Sequence, residues 1–140
     1  MPAVIRRRMA VLAGLILLVG CANAGDGMLT GQFEGSGRQC RGVLLVQAKI
    51  IAWHTPFASC ARTAYEVLDQ PAVGGAARRV FLLKPGSACA FAVISLGRDA
   101  EHPQYRNATG YRSRQDYDDG SDDTLRCNLT RKEIASASSR

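Results

Sequence analysis

At 140 residues the chain is short enough for one domain and long enough to bury a modest core. Its formal net charge of +6 invites a nucleic-acid reading, but Arg6, Arg7 and Arg8 supply half of that excess and stand directly before an apolar run. The remaining basic residues are scattered over strand-like stretches rather than gathered on one stripe, which argues against a nucleic-acid partner.

Residues 1–8 (MPAVIRRR) form a positively charged n-region, and 9–20 (MAVLAGLILLVG) form an uncharged apolar run. That run has the length of a signal-peptide h-region and is short for a helix spanning a bilayer core of ~30 Å. A buried core helix would show a polar face, and this run shows none. The segment ends Leu18-Val19-Gly20-Cys21. An aliphatic residue, a β-branched one, a glycine and then cysteine, at this distance from the charged flank, resembles the lipobox of bacterial lipoprotein precursors. The resemblance implies a diacylglyceryl thioether on the Cys21 thiol, cleavage before Cys21 and acylation of the new amine. It also implies anchoring in the envelope membrane, and Ala22 in place of aspartate points to the outer membrane. A competing cut after Ala22-Asn23-Ala24 would release a soluble protein. The expected organisation is a signal peptide over 1–20, an acylated cysteine and Gly/Ala-rich tether over 21–29, one all-β domain over 30–130, and a flexible tail over 131–140.

Beyond the tether, no stretch between turn signals keeps a convincing helical period. The expected strands are 32–36, 42–48, 50–55, 63–68, 79–84, 89–96, 105–111 and 124–129, separated by breakers such as Thr55-Pro56, Lys84-Pro85-Gly86, His102-Pro103 and Asp119-Gly120. Seven to eight short strands punctuated in this way predict a small antiparallel barrel or sandwich. In 79–84, Val80 and Leu82 fall on one face and Phe81 and Leu83 on the other, so that strand is expected either to be covered on both sides or to lie partly in an interface. Strands 79–84 and 89–96 should pair as a hairpin.

Five cysteines are an odd count, and the lipobox accounts for Cys21. Cys40, Cys60, Cys89 and Cys127 remain, an even number in an exported chain, and predict two disulfides. Their spacing lacks the clustered pairs of a zinc site. Of three connectivities, Cys40–Cys60 with Cys89–Cys127 is favoured here, because a hairpin turning near Ala48-Lys49 would set residues 40 and 60 opposite each other at its open end.

The sequence carries no nucleophile elbow, zinc-protease motif, P-loop or dinucleotide fingerprint. His54 and His102 read as surface residues, so no enzymatic activity and no cofactor are expected. The acidic stretch 116–124 (DYDDGSDDT) carries Asp116, Asp118, Asp119, Asp122 and Asp123. It fails as an EF-hand loop, since Gly120 falls at the fifth position and Cys127 at the twelfth. It reads as a solvated turn, and no metal is assigned to it. It also offers a surface for a basic protein. Beside it, Tyr111 and Arg112 combine an aromatic and a guanidinium, the pairing enriched in recognition patches. The expected role is therefore non-catalytic binding of a protein, glycan or small apolar ligand at the membrane. By size, strand content and export the domain resembles the small barrel-like domains of exported bacterial lipoproteins, among them the membrane-bound inhibitors of c-type lysozyme. Inhibition of a lysozyme-type enzyme and service as an accessory subunit of an outer-membrane assembly are the alternatives.

Overall fold

A computed structural model describes residues 29–68, 77–86 and 88–133. The expected signal peptide, Cys21, the tether up to residue 28 and the tail from residue 134 lie outside the described residues. Eight strands and one helix follow in order: β1 (Gly31–Gly35), β2 (Gly42–Val46), β3 (Ile50–His54), β4 (Ser59–Leu68), β5 (Arg78–Leu83), β6 (Val93–Arg98), β7 (Tyr105–Tyr111), α1 (Arg114–Asp119) and β8 (Thr124–Arg131). Each strand pairs antiparallel with the next, and β8 returns to β1 through Phe33↔Arg131 and Gly35↔Leu129. The sheet is a closed barrel rather than a sandwich, which leaves no unpaired strand edge among the described residues.

Alternation along the strands fills the interior. Leu44 and Val46, Ile51 and Trp53, Phe81 and Leu83, Ile94 and Leu96, and Cys127 and Leu129 all belong to one buried cluster. Between them Glu34, Arg62, Glu66, Asn107, Arg126 and Asn128 are exposed. A polar outside around an apolar inside is the reverse of a membrane-spanning barrel, whose lipid-facing band is apolar. Among the described residues no helix is long and apolar enough to cross a membrane. One outer patch is apolar. Val80, Val93 and Tyr111 form a second buried cluster on β5–β7, with Tyr117 of α1 packed against it. Strand β5 is thus covered on both faces, with Val80 outside and Phe81 inside, both fully buried.

The strand directions define two ends. At the proximal end β1 begins, β8 finishes, and residues 47–49 and 99–104 connect their strands. At the distal end lie the connections 36–41, 55–58, 84–92 and 112–123. Among the described residues, the ladder pairings and both disulfides fall within residues 31–131, and Leu29 just before them joins the core.

The disulfides are Cys40–Cys127 and Cys60–Cys89, with Cα separations of 5.6 and 3.8 Å. This corrects the expected pairing of Cys40 with Cys60 and Cys89 with Cys127. The 55–58 turn carries the chain back along β3, so Cys60 lies beside Trp53 within the sheet and forms an isolated bridge with Cys89. Cys40 bends the other way, over the end of β1 towards β8. Gly35 permits that close passage, since a Cβ there would stand 2.0 Å from the Cys40 carbonyl oxygen.

Several element boundaries also differ, among them the start of β4, which lies at Ser59 rather than at residue 63 because the chain pairs with β3 directly after the 55–58 turn. Strand β6 begins at Val93 rather than at residue 89, because the Cys60 bridge and the inward fold of Phe91 take 84–92 out of the ladder. Strand β8 runs past Leu129 to Arg131 by pairing with β1. The acidic stretch, expected as a turn, starts inside α1. The Ser113 hydroxyl caps that helix by accepting the Asp116 N–H at 3.0 Å, and Gly120 ends it in the left-handed conformation at φ 65°.

Candidate functional site

The four distal connections converge on one open cleft of about 570 Å³. Gln39 comes from the β1–β2 loop, Phe57 from the β3–β4 turn, Phe91 from the β5–β6 loop, and Arg112 and Asp123 from the segments flanking α1. A cleft of this size falls in the range that ligand sites occupy.

Each wall has a local cause. Thr55 holds its turn from both sides: its N–H and its hydroxyl donate to the Ala58 carbonyl at 3.0 and 2.7 Å, and the Ala58 N–H donates to Thr55 Oγ1 at 3.0 Å. Phe57 stands at the tip of this braced turn with 68% of its surface exposed, more than any other large apolar side chain described. Phe91 is seated from below. Its ring lies 5.3 Å from that of Trp53, and a Cβ on Gly110 would stand 2.6 Å from it. The floor is therefore aromatic and tightly fitted. The Trp53 indole N–H beneath it is fully buried and has no hydrogen-bond partner among the described residues, an arrangement that costs about 1–3 kcal/mol.

The charged residues expected from the sequence do not form one patch. Asp118 pairs with Arg114 at 3.2 Å, and Asp122 with Arg126 at 3.9 Å. Asp116 occupies the first turn of α1 and Asp119 its last position. Asp123 lines the cleft, as does Arg112, yet they make no ion pair with each other. Tyr111 turns away to the outer wall and meets Tyr117 edge-on at 5.2 Å, fixing α1 against the barrel. Of the seven expected binding residues the structure thus brings two, Arg112 and Asp123, into the cleft. Among the described residues no three His, Cys, Asp or Glu side chains are grouped to hold a metal. Phe57, Phe91 and Gln39 were not expected. The one legible sign was Pro56-Phe57, a large apolar ring inside a turn signal.

The proximal end has a different character. Arg98 and Arg106 face each other in the β6–β7 register, and Arg131 lies beyond Leu129, the β8 partner of Arg106. Arg106 is buried and donates to the carbonyls of Pro103 and Tyr105 at 2.8 and 3.2 Å. Burial, with added repulsion from Arg131 and Arg98, lowers its guanidinium below the usual range. Arg131 lies over the Phe33 ring at 5.5 Å. In the 99–104 loop, the His102 backbone N–H holds the Asp99 carboxyl below the usual carboxylate range, aided by Glu101 N–H and Asn107. No family model matches the chain, and neither a curated protein nor a solved structure was found to match it.

Proposed function

We propose that this chain is a lipid-anchored bacterial envelope protein whose barrel carries a non-catalytic binding cleft at the end turned away from the membrane. The single observation that carries the reading is the distal cleft. It combines an exposed ring, Phe57, on a braced turn, a buried ring, Phe91, as floor, and Arg112 and Asp123 unpaired with each other. Aromatic anchors and an available arginine are the elements that carry most energy at recognition sites. Opposite charges over an apolar floor suit a protein segment that presents an apolar side chain between charged groups. The lipobox residues 18–21 support the anchor, and Ala22 supports delivery to the outer membrane. Strand β1 starts at the proximal end, so a chain held at Cys21 enters there and leaves the cleft free. The non-catalytic reading draws support from the bridging of Cys40, Cys60, Cys89 and Cys127, and from the histidines standing at opposite ends, His54 distal and His102 proximal.

A photo-crosslinking side chain at position 57, expressed in the envelope, tests the cleft. One discrete adduct that disappears with Arg112→Glu is expected; crosslinking unaffected by that change would remove the cleft from the function. The same adduct, if it holds a stoichiometric envelope protein, favours the accessory-subunit reading. Intact mass tests the anchor. A mass equal to bare 21–140 or 25–140, without acyl chains, would sink it.

A second reading is inhibition of a basic, lysozyme-type enzyme. It draws on Asp119 and Asp123, which make no ion pair among the described residues and sit at the distal end. It predicts that the purified protein slows lysozyme at micromolar concentration and that Asp119→Asn/Asp123→Asn abolishes the effect.

A further inference from the structure

The strand register gathers like charge at the proximal mouth. On four successive strands, an arginine occupies the inward-facing register position nearest that end: Arg79 on β5, Arg98 on β6, Arg106 on β7 and Arg131 on β8. The next inward-facing position on each of these strands is apolar and buried: Phe81, Leu96, Ala108 and Leu129. Arg98 and Arg131 are exposed, and Arg78 extends the patch onto the outer wall, where its Nε donates to Ser95 Oγ at 3.1 Å. Among the described residues, two of the acidic side chains towards this end are already engaged. Glu34 is paired with Lys132 at 3.2 Å, and Asp99 accepts the loop N–H groups of Glu101 and His102 at 2.9 and 3.0 Å. Glu101 and Glu133 are left as exposed carboxylates, against the four arginines of the mouth and Arg78 beside them. Massing guanidiniums at one mouth costs repulsion, and guanidinium is the side chain best matched to phosphate oxygens.

The position of this mouth relative to the expected anchor supplies the occupant. Nine residues separate Cys21 from Gly31. Even fully extended they reach only about 30–35 Å, and a flexible Gly/Ala chain averages roughly half of that. Whatever path those residues take, covalent length keeps the proximal mouth within reach of the surface holding the acyl chains. We infer that the Arg98–Arg106–Arg131 mouth seats the barrel on the phosphate headgroups of that membrane, proximal end down. This rests on Cys21 as the anchor.

The test separates the two claims by using the unacylated chain 22–140, which contains the whole barrel. It is co-sedimented with vesicles of phosphatidylcholine alone and of phosphatidylcholine with phosphatidylglycerol, at low and high salt. Binding only to the anionic vesicles, lost at high salt, is expected. Arg78→Gln/Arg98→Gln should weaken it about tenfold or more, while Arg38→Gln/Arg41→Gln at the distal end should leave it unchanged. Thermal unfolding establishes that both variants are folded. Equal binding to both vesicle types, no binding to either, or equal loss in the two variants would overturn the inference. So would displacement by inorganic phosphate beyond that by chloride at equal ionic strength, which would make the mouth a small-anion site. Acylation is read separately from intact mass, so failure of the anchor and failure of the seating are distinguishable.

Discussion

At the scale of single residues, two side chains show how local geometry becomes a measurable property. Asp99 organises the 99–104 loop by accepting two backbone N–H groups, and these bonds lower its carboxyl below the usual range. A lowered folded-state pKa contributes stability that is present above the unfolded value and lost as pH falls through the folded one. Asp99→Ala should therefore reduce the unfolding midpoint at neutral pH and make little difference in acid below the folded value. Equal losses at both pH values would refute this role. Gly110 is set by contact rather than by backbone conformation. A methyl group there would press on the Phe91 ring at 2.6 Å, with Trp53 on another side of that ring. Gly110→Ala should cost about 1–3 kcal/mol in urea unfolding, the price of overpacking. It should also weaken crosslinking from position 57, because the displaced ring is the cleft floor.

At the scale of elements, the disulfides staple the distal connections to the barrel, but across very different lengths of chain. Cys40–Cys127 encloses a sequence separation of 87 residues and Cys60–Cys89 one of 29. The chain-entropy estimate is roughly 4–5 kcal/mol for the first and about 3.5 kcal/mol for the second. Cys40→Ala/Cys127→Ala should consequently lower the thermal midpoint more than Cys60→Ala/Cys89→Ala, and a non-reducing peptide map should recover these two pairs. Strands were the legible part of the sequence. Alternation in Leu44 to Val46, Ile51 to Trp53 and Phe81 to Leu83 reflects the two faces of a sheet, and turn residues mark its ends. The pairing of cysteines was not legible, because it depends on which way the 36–41 and 55–58 connections bend, and close packing at Gly35 decides the first. Helix α1 was legible in principle. Ser113-Arg114-Gln115-Asp116 followed by Gly120 has the spacing of a capped turn, but five aspartates with Gly120 and Ser121 carry the stronger signal of a solvated loop.

At the scale of the molecule, the barrel has two unlike mouths. One is aromatic with charges of both signs, and the other is lined with arginine. Neither was legible in the sequence. The cleft takes residues from positions 39, 57, 91, 112 and 123, which become neighbours only when the barrel closes. The arginines lie 8 to 25 residues apart along the chain and share an end only through strand direction. Arg112 reads in the sequence as half of a Tyr–Arg pair and Asp123 as part of an acidic turn, whereas the helix between them sets both on the cleft and leaves Asp118 and Asp122 to their own arginines. The proposed orientation has a direct consequence for the acylated protein in a bilayer. A nitroxide-bearing lipid should quench a label at position 101 strongly and one at position 57 weakly, since a seven-residue strand such as β7 separates the mouths by about 20 Å. Equal quenching at both positions would mean that the barrel lies on its side or moves freely.

The Trp53–Phe91 stack also makes the protein its own optical probe. Trp53 is the only tryptophan of the chain, fully shielded from water and in contact with the floor of the cleft. Its fluorescence in the folded state therefore comes from one ring in one apolar setting. Any occupant that shifts Phe91 changes that setting, and the emission changes in wavelength or intensity without a dye having been added. Titrating candidate partners against this intrinsic signal reads occupancy of the distal cleft and is blind to events at the proximal arginines.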